Sequence, residues 1–211
     1  MSFDWEHQRR LHKQLAEEST KPKYKSKIGE YTDLASEAYN KQPKTDIGNW
    51  HLLTHDKNNK VYQNKMSGEI VNAISGSKTA KDFINDGLQI FGFGNNALQK
   101  QRYKESESMM NRLNAIRRPT TISTTSHSLG SRVANDLMKA GKVTGTNYNH
   151  NPFIARKHHD VKSDKVVNIR NKHDLASILT KDNANTISLE STSNPVSAHF
   201  MDNIKRLENS N

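Results

Sequence analysis

Residues 121–131 read TISTTSHSLGS, and the character of the chain changes at Ser128 within this run. The segment from Thr120 to Ser126 is rich in β-branched residues, which favour extended backbone and predict a strand. The segment from Ser131 to Ala140 predicts a helix that ends at Gly141, because glycine is the usual residue just past a helix end. A serine therefore stands at an abrupt transition from strand to helix.

Ser128 has the local context of a nucleophile elbow, a turn that lifts a serine hydroxyl above the edge of a sheet, where a base can reach it. The turn requires small residues two positions on either side of the nucleophile, and Ser126 and Gly130 occupy those positions. Ser126 replaces the glycine that is usual at the first of them. The alternative is an ordinary strand-to-helix turn in which Ser128 caps the helix.

The rest of the chain alternates short apolar runs with helical patterns. Strands are predicted at Trp50–Thr54, Val61–Gln63, Glu69–Ser75, Val143–Tyr148, Lys165–Ile169 and Thr186–Leu189, and helices at Thr79–Asp86, Tyr103–Ile116 and Val196–Leu207. This alternation predicts an α/β fold with a mainly parallel sheet flanked by helices.

The domain organisation predicted from these patterns has two parts. Residues 1–46 are expected to form an N-terminal helical and basic extension, and residues 47–211 the globular domain. Within the extension, Lys21–Lys27 is basic without an apolar pattern and predicts a linker or mobile arm. A helix is predicted from Thr32 to Asn40, where apolar residues recur at helical spacing.

The composition excludes several classes of site. The 211 residues contain no cysteine, which rules out disulfides, thiol nucleophiles and cysteine-ligated metals. The sequence has neither a signal-peptide pattern nor an apolar run that could span a bilayer, so a soluble protein is expected, cytoplasmic or associated with a viral or other assembly. The formal net charge of +10 indicates either a solvated basic surface or attraction to a polyanion, such as nucleic acid or an anionic membrane.

The run His127–Gly130 resembles the Gly-His-Ser-Leu-Gly core of the class 3 lipases, an α/β-hydrolase family. Upstream, Ile74–Ser77 is similar to that family's oxyanion strand, which runs into Arg-Gly-Thr or Arg-Gly-Ser, with Ser75 where the arginine usually stands. The segment Lys81–Gly87 is similar to the Asp-Trp…Asp helix that follows, with Phe83 in place of the tryptophan.

Leu34, Ala35 and Tyr39 are similar to the first helix of the same family, so the resemblance spans about residues 31–208. It implies a compact α/β-hydrolase with the activity of a serine esterase or lipase. A phospholipase A-type enzyme is one form of this expectation. The implied substrate is a lipid ester, either a triacylglycerol or a phospholipid, and the implied chemistry needs no metal or cofactor.

The resemblance also implies the roles of the residues at the elbow. Ser128 attacks the ester carbonyl, and backbone N–H groups stabilise the oxyanion that forms. One of these is the N–H of Leu129 at the helix N-terminus. The other is the N–H of Ser77, whose hydroxyl is a further donor, although Ser77 could instead cap the helix predicted at 79–86.

The expected base is His199, because the triad order in this fold is serine, then acid, then histidine. The segment Ala198–Ile204 resembles the segment that carries the family's final histidine. His158 and His159 precede the expected acid in a basic loop and are weaker candidates. His127 is expected to have a structural role, since the turn directs its side chain away from the nucleophile.

The expected acid is Asp174, which follows a predicted strand and a short polar turn and would hold the imidazole in its reactive tautomer. Its alternative role is a helix N-cap for Leu175–Thr180. Asp160 and Asp164 are the substitutes for Asp174. The run 158–160 forms only a weak metal-ligand pattern, and no metal site is predicted.

A loop expected to act as a lid or to contact the acyl chain contains Leu88, Ile90, Phe91 and Phe93. These apolar side chains are too many to bury easily in so short a glycine-rich stretch, although a core strand end is the alternative. An apolar loop beside a basic surface would suit an anionic phospholipid interface.

Two other functions compete with the esterase. One is a catalytically inactive, lipase-like structural or interaction protein, whose basic arm binds an acidic partner or a membrane; the departures at Ser75 and Ser126 permit it. The other is nucleic-acid binding, which rests on the charge alone, since no helix-turn-helix, zinc pattern or aromatic stacking platform is present. The sequence leaves the oligomeric state open.

Overall fold

A computed structural model of the chain describes residues 23–76, 97–117, 121–154, 161, 163–172, 174, 185–189 and 201. The helices with described bounds are α1 (Lys23–Glu37), α2 (Ala97–Arg117) and α3 (Gly130–Lys139). The strands in the same ranges are β1 (Asp46–Ile47), β2 (Trp50–His55), β3 (Asn59–Asn64), β4 (Ile70–Ile74), β5 (Ile122–His127), β6 (Asn147–His150), β7 (Val166–Asn171) and β8 (Thr186–Leu189).

The eight strands form one mixed sheet in which neighbours follow chain order, with β1 and β8 as the two outermost strands. The pairs from β1 to β4 are antiparallel, and the pairs from β4 to β8 are parallel. The predicted α/β class with a mainly parallel sheet is therefore confirmed. Because β4 to β8 run in the same direction, their carboxyl ends lie at one edge of the sheet, where sites of α/β proteins form.

Strand β4 shows how the two faces of the sheet are covered, since all five of its residues are buried. Successive side chains of a strand point to opposite faces. Val71 and Ala73 pack in a cluster with α1. Ile70 packs against α2 and Ile74 against α3, on the other face. The helices therefore cover both faces of the central strands.

Helix α1 contributes to the core of the sheet. Tyr31, Leu34, Ala35 and Ala38 have no exposed surface, and they pack with residues of five strands. Their spacing puts them on one stripe of the helix. The division between an N-terminal extension and a domain near residue 46 stays a prediction. Within residues 1–46, the segment from Tyr31 to Ala38 packs in the core of the sheet.

Several element boundaries differ from the sequence prediction, and the contacts of the fold explain two of them. Helix α1 begins at Lys23, so most of the basic run predicted as a linker is helical, because lysine is a good helix former and the buried stripe anchors the helix further along. Strand β6 begins at Asn147 rather than at Val143. The N–H groups of Thr144 and Gly145 both donate to the Ile122 carbonyl, which makes a turn there instead of a strand.

None of the helices with described bounds is long and apolar enough to cross a membrane. The predicted helix at 79–86 lies outside the described residues. So does the predicted helix at 196–207, apart from Met201, which is helical and buried against the α1 side of the sheet.

Candidate active site

Ser128 lies in a sharp turn between β5 and α3, with a φ of 54°. A positive φ is strained for a residue with a side chain, and surrounding contacts must hold it. The Ser128 N–H donates to the His150 carbonyl at 3.1 Å. The Ser128 carbonyl accepts from the N–H groups of Ser131 at 3.0 Å and Phe153 at 3.2 Å. Both peptide groups of the strained residue are thus bonded, as the elbow geometry requires.

The two small residues that flank the elbow are both explained by their neighbours. A Cβ added to Gly130 would lie 2.5 Å from the Ile74 carbonyl oxygen and 2.8 Å from that of Ser75, so helix α3 and strand β4 approach each other too closely for a side chain. The Ser126 hydroxyl is accommodated because it donates to the Asn149 side-chain oxygen at 2.8 Å and bonds Ser131. The serine in place of the usual glycine therefore fits the turn.

The end of β4, which corresponds to the predicted oxyanion strand, lies against the elbow. A Cβ added to Gly76 would lie 2.7 Å from the His127 carbonyl oxygen and 2.7 Å from the Ser128 Cβ. Ser77, the next residue and the predicted oxyanion donor, lies outside the described residues. Leu129 precedes the first residue of α3, at a helix N-terminus, where backbone N–H groups lack intrahelical acceptors.

The same strand end is held by contacts from three other elements. The N–H of Ser75 donates to the Asn58 carbonyl at 3.0 Å. The Arg102 guanidinium, buried on α2, donates to the Ser75 carbonyl. The N–H of Gly76 donates to the Tyr39 hydroxyl at 2.8 Å. No pattern in the sequence predicts a role for Arg102, because it lies 27 positions from Ser75 along the chain.

Asp174 is fully buried just beyond the carboxyl end of β7, where its N–H donates to the Asn171 carbonyl at 3.1 Å. Since β5 and β7 run parallel, Asp174 and Ser128 follow strand ends at the same edge of the sheet. His199, the predicted base, lies outside the described residues, so the hydrogen bonds of the triad stay a prediction. Asp164 is exposed and precedes β7, at the opposite edge, which is the wrong edge for an acid serving Ser128.

Several other predicted residues also fall outside the described ranges. They are the alternative candidates His158, His159 and Asp160, and the loop residues Leu88, Ile90, Phe91 and Phe93. Among the described residues, no group of three or more histidine or acidic side chains lies close enough to hold a metal ion.

His127 lies on the α1 face of the sheet, where its Nδ1 and the Tyr39 hydroxyl are 2.5 Å apart. The two rings also make an edge contact, with centroids 5.6 Å apart. The imidazole thus makes a polar contact with Tyr39, two residues past the end of α1. This contact agrees with the structural role expected from the turn.

His150 pairs in register with His127 on the neighbouring strand and is fully buried. Burial lowers the pKa of His150 to about 3, because a buried imidazole loses the hydration of its charged form. Its Nε2 lies 3.2 Å from the Thr125 hydroxyl, which itself donates to the Tyr31 carbonyl. His150 is therefore neutral near pH 7, and its Nε2 carries the proton.

A buried polar layer, which no pattern in the sequence predicts, lies between α3 and the sheet. Asn135 of α3 accepts, at its side-chain oxygen, from the amides of Asn147 at 2.6 Å and Asn149 at 3.3 Å. Asn149 also donates to Asn168 on β7 at 3.0 Å. Because Asn149 accepts from Ser126, the layer is connected to the elbow.

The similarity of this chain to known proteins lies in its fold and not in its sequence. The sequence matches no family model and no curated protein. Solved structures match over most of their length. Lip2 lipase from Yarrowia lipolytica has a TM-score of 0.54 at 16% identity, covering 81% of this chain and 80% of that one. The lipase from Rhizopus microsporus var. chinensis has a TM-score of 0.57 at 15% identity, covering 82% and 76%.

Lipase II from Rhizopus niveus matches similarly, with a TM-score of 0.55 at 14% identity and coverage of 80% of this chain and 81% of the other. Identities this low bear on the fold alone. The resemblance seen in the elbow and the oxyanion strand therefore extends to the arrangement of the whole sheet. The chain has the α/β-hydrolase fold of the class 3 lipases.

Proposed function

We propose that the protein is a carboxylic ester hydrolase that acts on lipid esters through a Ser128–His199–Asp174 triad and an acyl-enzyme. The observation that carries the proposal is the strained backbone of Ser128, with its φ of 54° between β5 and α3. Strain of this kind persists only where surrounding contacts enforce it, and it is concentrated at functional sites.

The proposed reaction uses each residue in a defined step. The Ser128 Oγ attacks the ester carbonyl while His199 takes the hydroxyl proton, and a tetrahedral oxyanion forms. The N–H groups of Leu129 and Ser77 stabilise that oxyanion. His199 then gives its proton to the departing alcohol. Water, activated by the same histidine, releases the carboxylic acid and restores Ser128, while Asp174 stabilises the imidazolium throughout.

The proposed substrate is a triacylglycerol or a phospholipid. The structural neighbours are described as lipases, which favours a lipid ester over a small soluble one. The predicted loop with Leu88, Ile90, Phe91 and Phe93 would supply apolar contacts to an acyl chain, and the net charge of +10 would favour an anionic lipid surface.

Labelling with a fluorophosphonate probe, read by mass spectrometry, tests the nucleophile. We expect one label on Ser128 in the wild type and none in Ser128→Ala. The matched control is Ser123→Ala, which removes a buried serine hydroxyl from the amino-terminal part of the same strand and should leave labelling intact.

A hydrolysis panel of short esters, triacylglycerols and phospholipids, run with the same variants, identifies the substrate class. Folded wild-type protein that takes no label, or a Ser128→Ala variant that labels as fast as wild type, would contradict the proposal. The first of these results would favour the alternative of a lipase-like interaction protein.

A further inference from the structure

The Tyr39 hydroxyl lies between the two backbone segments that meet at the elbow. It accepts a hydrogen bond from the Gly76 N–H at 2.8 Å, and its oxygen lies 2.5 Å from the His127 Nδ1. Gly76 follows β4 and His127 ends β5. One phenol oxygen therefore contacts both the predicted oxyanion strand and the strand that carries the nucleophile.

The Tyr39 hydroxyl can bond both partners because it keeps its proton. The Tyr39 ring is partly exposed, but burial of the hydroxyl raises the pKa of Tyr39 well above its usual value, so the group stays protonated. It accepts from the Gly76 N–H. Toward the His127 Nδ1 the hydroxyl donates its proton or, through its second lone pair, accepts from the ring N–H, according to the tautomer of the imidazole.

Both segments lead directly to the proposed oxyanion donors. Gly76 precedes Ser77, and His127 precedes Ser128 and Leu129 by one and two residues in the printed sequence. An oxyanion hole works only when its donors converge on one point at hydrogen-bond distance. The distance between the two segments is therefore a quantity that the site must control.

The pairing of β4 with β5 ends at Ile74 and Ser126, two residues before Gly76 and one before His127, so the segments that meet at the elbow lie just past the ladder. The Asn58 carbonyl and the Arg102 guanidinium both bond Ser75, and neither bond involves the elbow strand. Arg102 does act on the tyrosine, because its positive charge opposes part of the rise in the pKa of Tyr39. Beyond the ladder, the Tyr39 side chain contacts both segments at once.

We propose that Tyr39 is a positioning residue, whose hydroxyl sets the separation between the Gly76 and His127 segments and thereby aligns the two oxyanion donors. This role rests on the proposed esterase function, since it has meaning only for a site that stabilises an oxyanion. Tyr39 acts through the backbone of its partners, not on the substrate.

The test compares Tyr39→Phe with Tyr31→Phe. Tyr31 is a buried tyrosine of α1, whose hydroxyl donates to Glu69 at 2.7 Å near the opposite end of β4, so both variants lose one hydrogen-bonded hydroxyl. We expect Tyr39→Phe to lower kcat by about 10- to 100-fold, somewhat less than the loss of a direct oxyanion donor. KM should stay within about twofold, because ground-state binding does not use the oxyanion contacts.

A second readout separates alignment from general stability. A trifluoromethyl ketone, which forms a tetrahedral oxyanion adduct with the serine, should bind Tyr39→Phe more weakly by about the factor lost in kcat/KM. Tyr31→Phe should bind the inhibitor as wild type does, whatever its loss in Tm.

The His127 end of the link offers an independent pair of variants, should Tyr39→Phe not fold. His127→Asn keeps an amide that can donate or accept near the position of Nδ1, while His127→Phe removes the polar group, so the asparagine should recover much of the activity that the phenylalanine loses.

The wild type and Ser128→Ala arms test the esterase function itself, and failure there removes this role as well. If the wild type is active and labelled at Ser128, equal kcat values and inhibitor affinities for Tyr39→Phe and Tyr31→Phe would overturn the role of Tyr39 while leaving the esterase in place. Equal loss in both histidine variants would overturn it too.

Discussion

Gly130 is the single residue at which the elbow admits the least change. An alanine Cβ there would lie 2.5 Å from the Ile74 carbonyl oxygen, which is backbone and cannot rotate away. We expect Gly130→Ala to lower the free energy of unfolding by about 1–3 kcal/mol, as overpacking does in cores. Urea unfolding measures this loss. Activity should fall by about tenfold or more, because small displacements of catalytic groups are costly.

The matched control is Gly29→Ala in α1, where an added Cβ meets no atom within 4 Å. Alanine is a better helix former than glycine, so this variant should gain up to about 1 kcal/mol and keep its activity. If Gly130→Ala were as stable and active as Gly29→Ala, the close packing of α3 against β4 would not matter to the site.

His150 predicts a dependence of stability on pH. The folded chain holds its pKa at about 3, against an ordinary value of 6.5, so between these values the unfolded chain binds more protons. The contribution of His150 to stability is therefore complete above pH 6.5 and is lost as the pH falls toward 3, by up to about 1.4 kcal/mol per pH unit.

Urea unfolding of wild type and His150→Gln at a series of pH values measures this term. The glutamine keeps an N–H donor for Thr125 but does not titrate. We expect the difference in free energy of unfolding between wild type and variant to shift in favour of the variant as the pH falls. Parallel curves for the two proteins would show that His150 is not held neutral by the fold.

At the scale of elements, the contact between α3 and the sheet is unusual because it is polar. The side chains that α3 meets on β6 include Asn147 and Asn149, and Asn149 donates in turn to Asn168 on β7; all three are buried. Asn135 supplies one oxygen to two of these amides. Buried amides cost little while they are bonded and much more when a partner is lost, so this layer ties the register of α3 to specific side chains.

Asn135→Ala removes the oxygen that Asn147 and Asn149 share. We expect a loss of about 2–4 kcal/mol in the free energy of unfolding, since two buried donors lose an acceptor. The control is Asn114→Ala on α2, an exposed asparagine, which should stay within about 0.5 kcal/mol of wild type. A loss for Asn135→Ala no larger than that of the control would mean that the layer does not stabilise the fold.

The elements that could be predicted are those whose own side chains carry a repeating pattern. Strand β4 and helix α2 were predicted because apolar residues recur at strand or helix spacing, and Thr186–Leu189 was predicted with its observed bounds. The bounds of strand β6, Asn147–His150, could not be predicted, because its residues are mostly polar and their burial depends on α3 at one face and α1 at the other. The helical start of α1 was missed because burial further along the helix decides it.

At the scale of the whole molecule, the parts of the candidate site that could be predicted are those whose residues are neighbours in the sequence. The elbow was predictable since strand, serine and helix are contiguous. The contact of Tyr39 with His127 joins residues 88 positions apart, and that of Arg102 with Ser75 joins residues 27 apart. Such contacts depend on how the sheet assembles, and no local pattern encodes them.

The net charge gives the last prediction, which concerns the binding of the protein to a lipid surface. A net charge of +10 would attract the protein to anionic lipid, and salt would screen this attraction. Sedimentation with phosphatidylglycerol vesicles should therefore fall as salt rises from about 50 mM to about 500 mM, over which the Debye length drops severalfold. Phosphatidylcholine vesicles should bind weakly at both.

The predicted apolar loop would add a hydrophobic contribution to vesicle binding. Salt does not screen hydrophobic insertion, so this contribution should persist at high salt. Phe91→Ser should reduce the salt-resistant part of vesicle binding and the hydrolysis of vesicle lipid, while hydrolysis of a short soluble ester stays near wild type. Leu53→Ser on β2, a partly buried residue of another element, controls for loss of apolar surface elsewhere. Equal binding to both vesicle types would contradict the attraction to anionic lipid, and equal effects of the two variants would contradict the role of the loop.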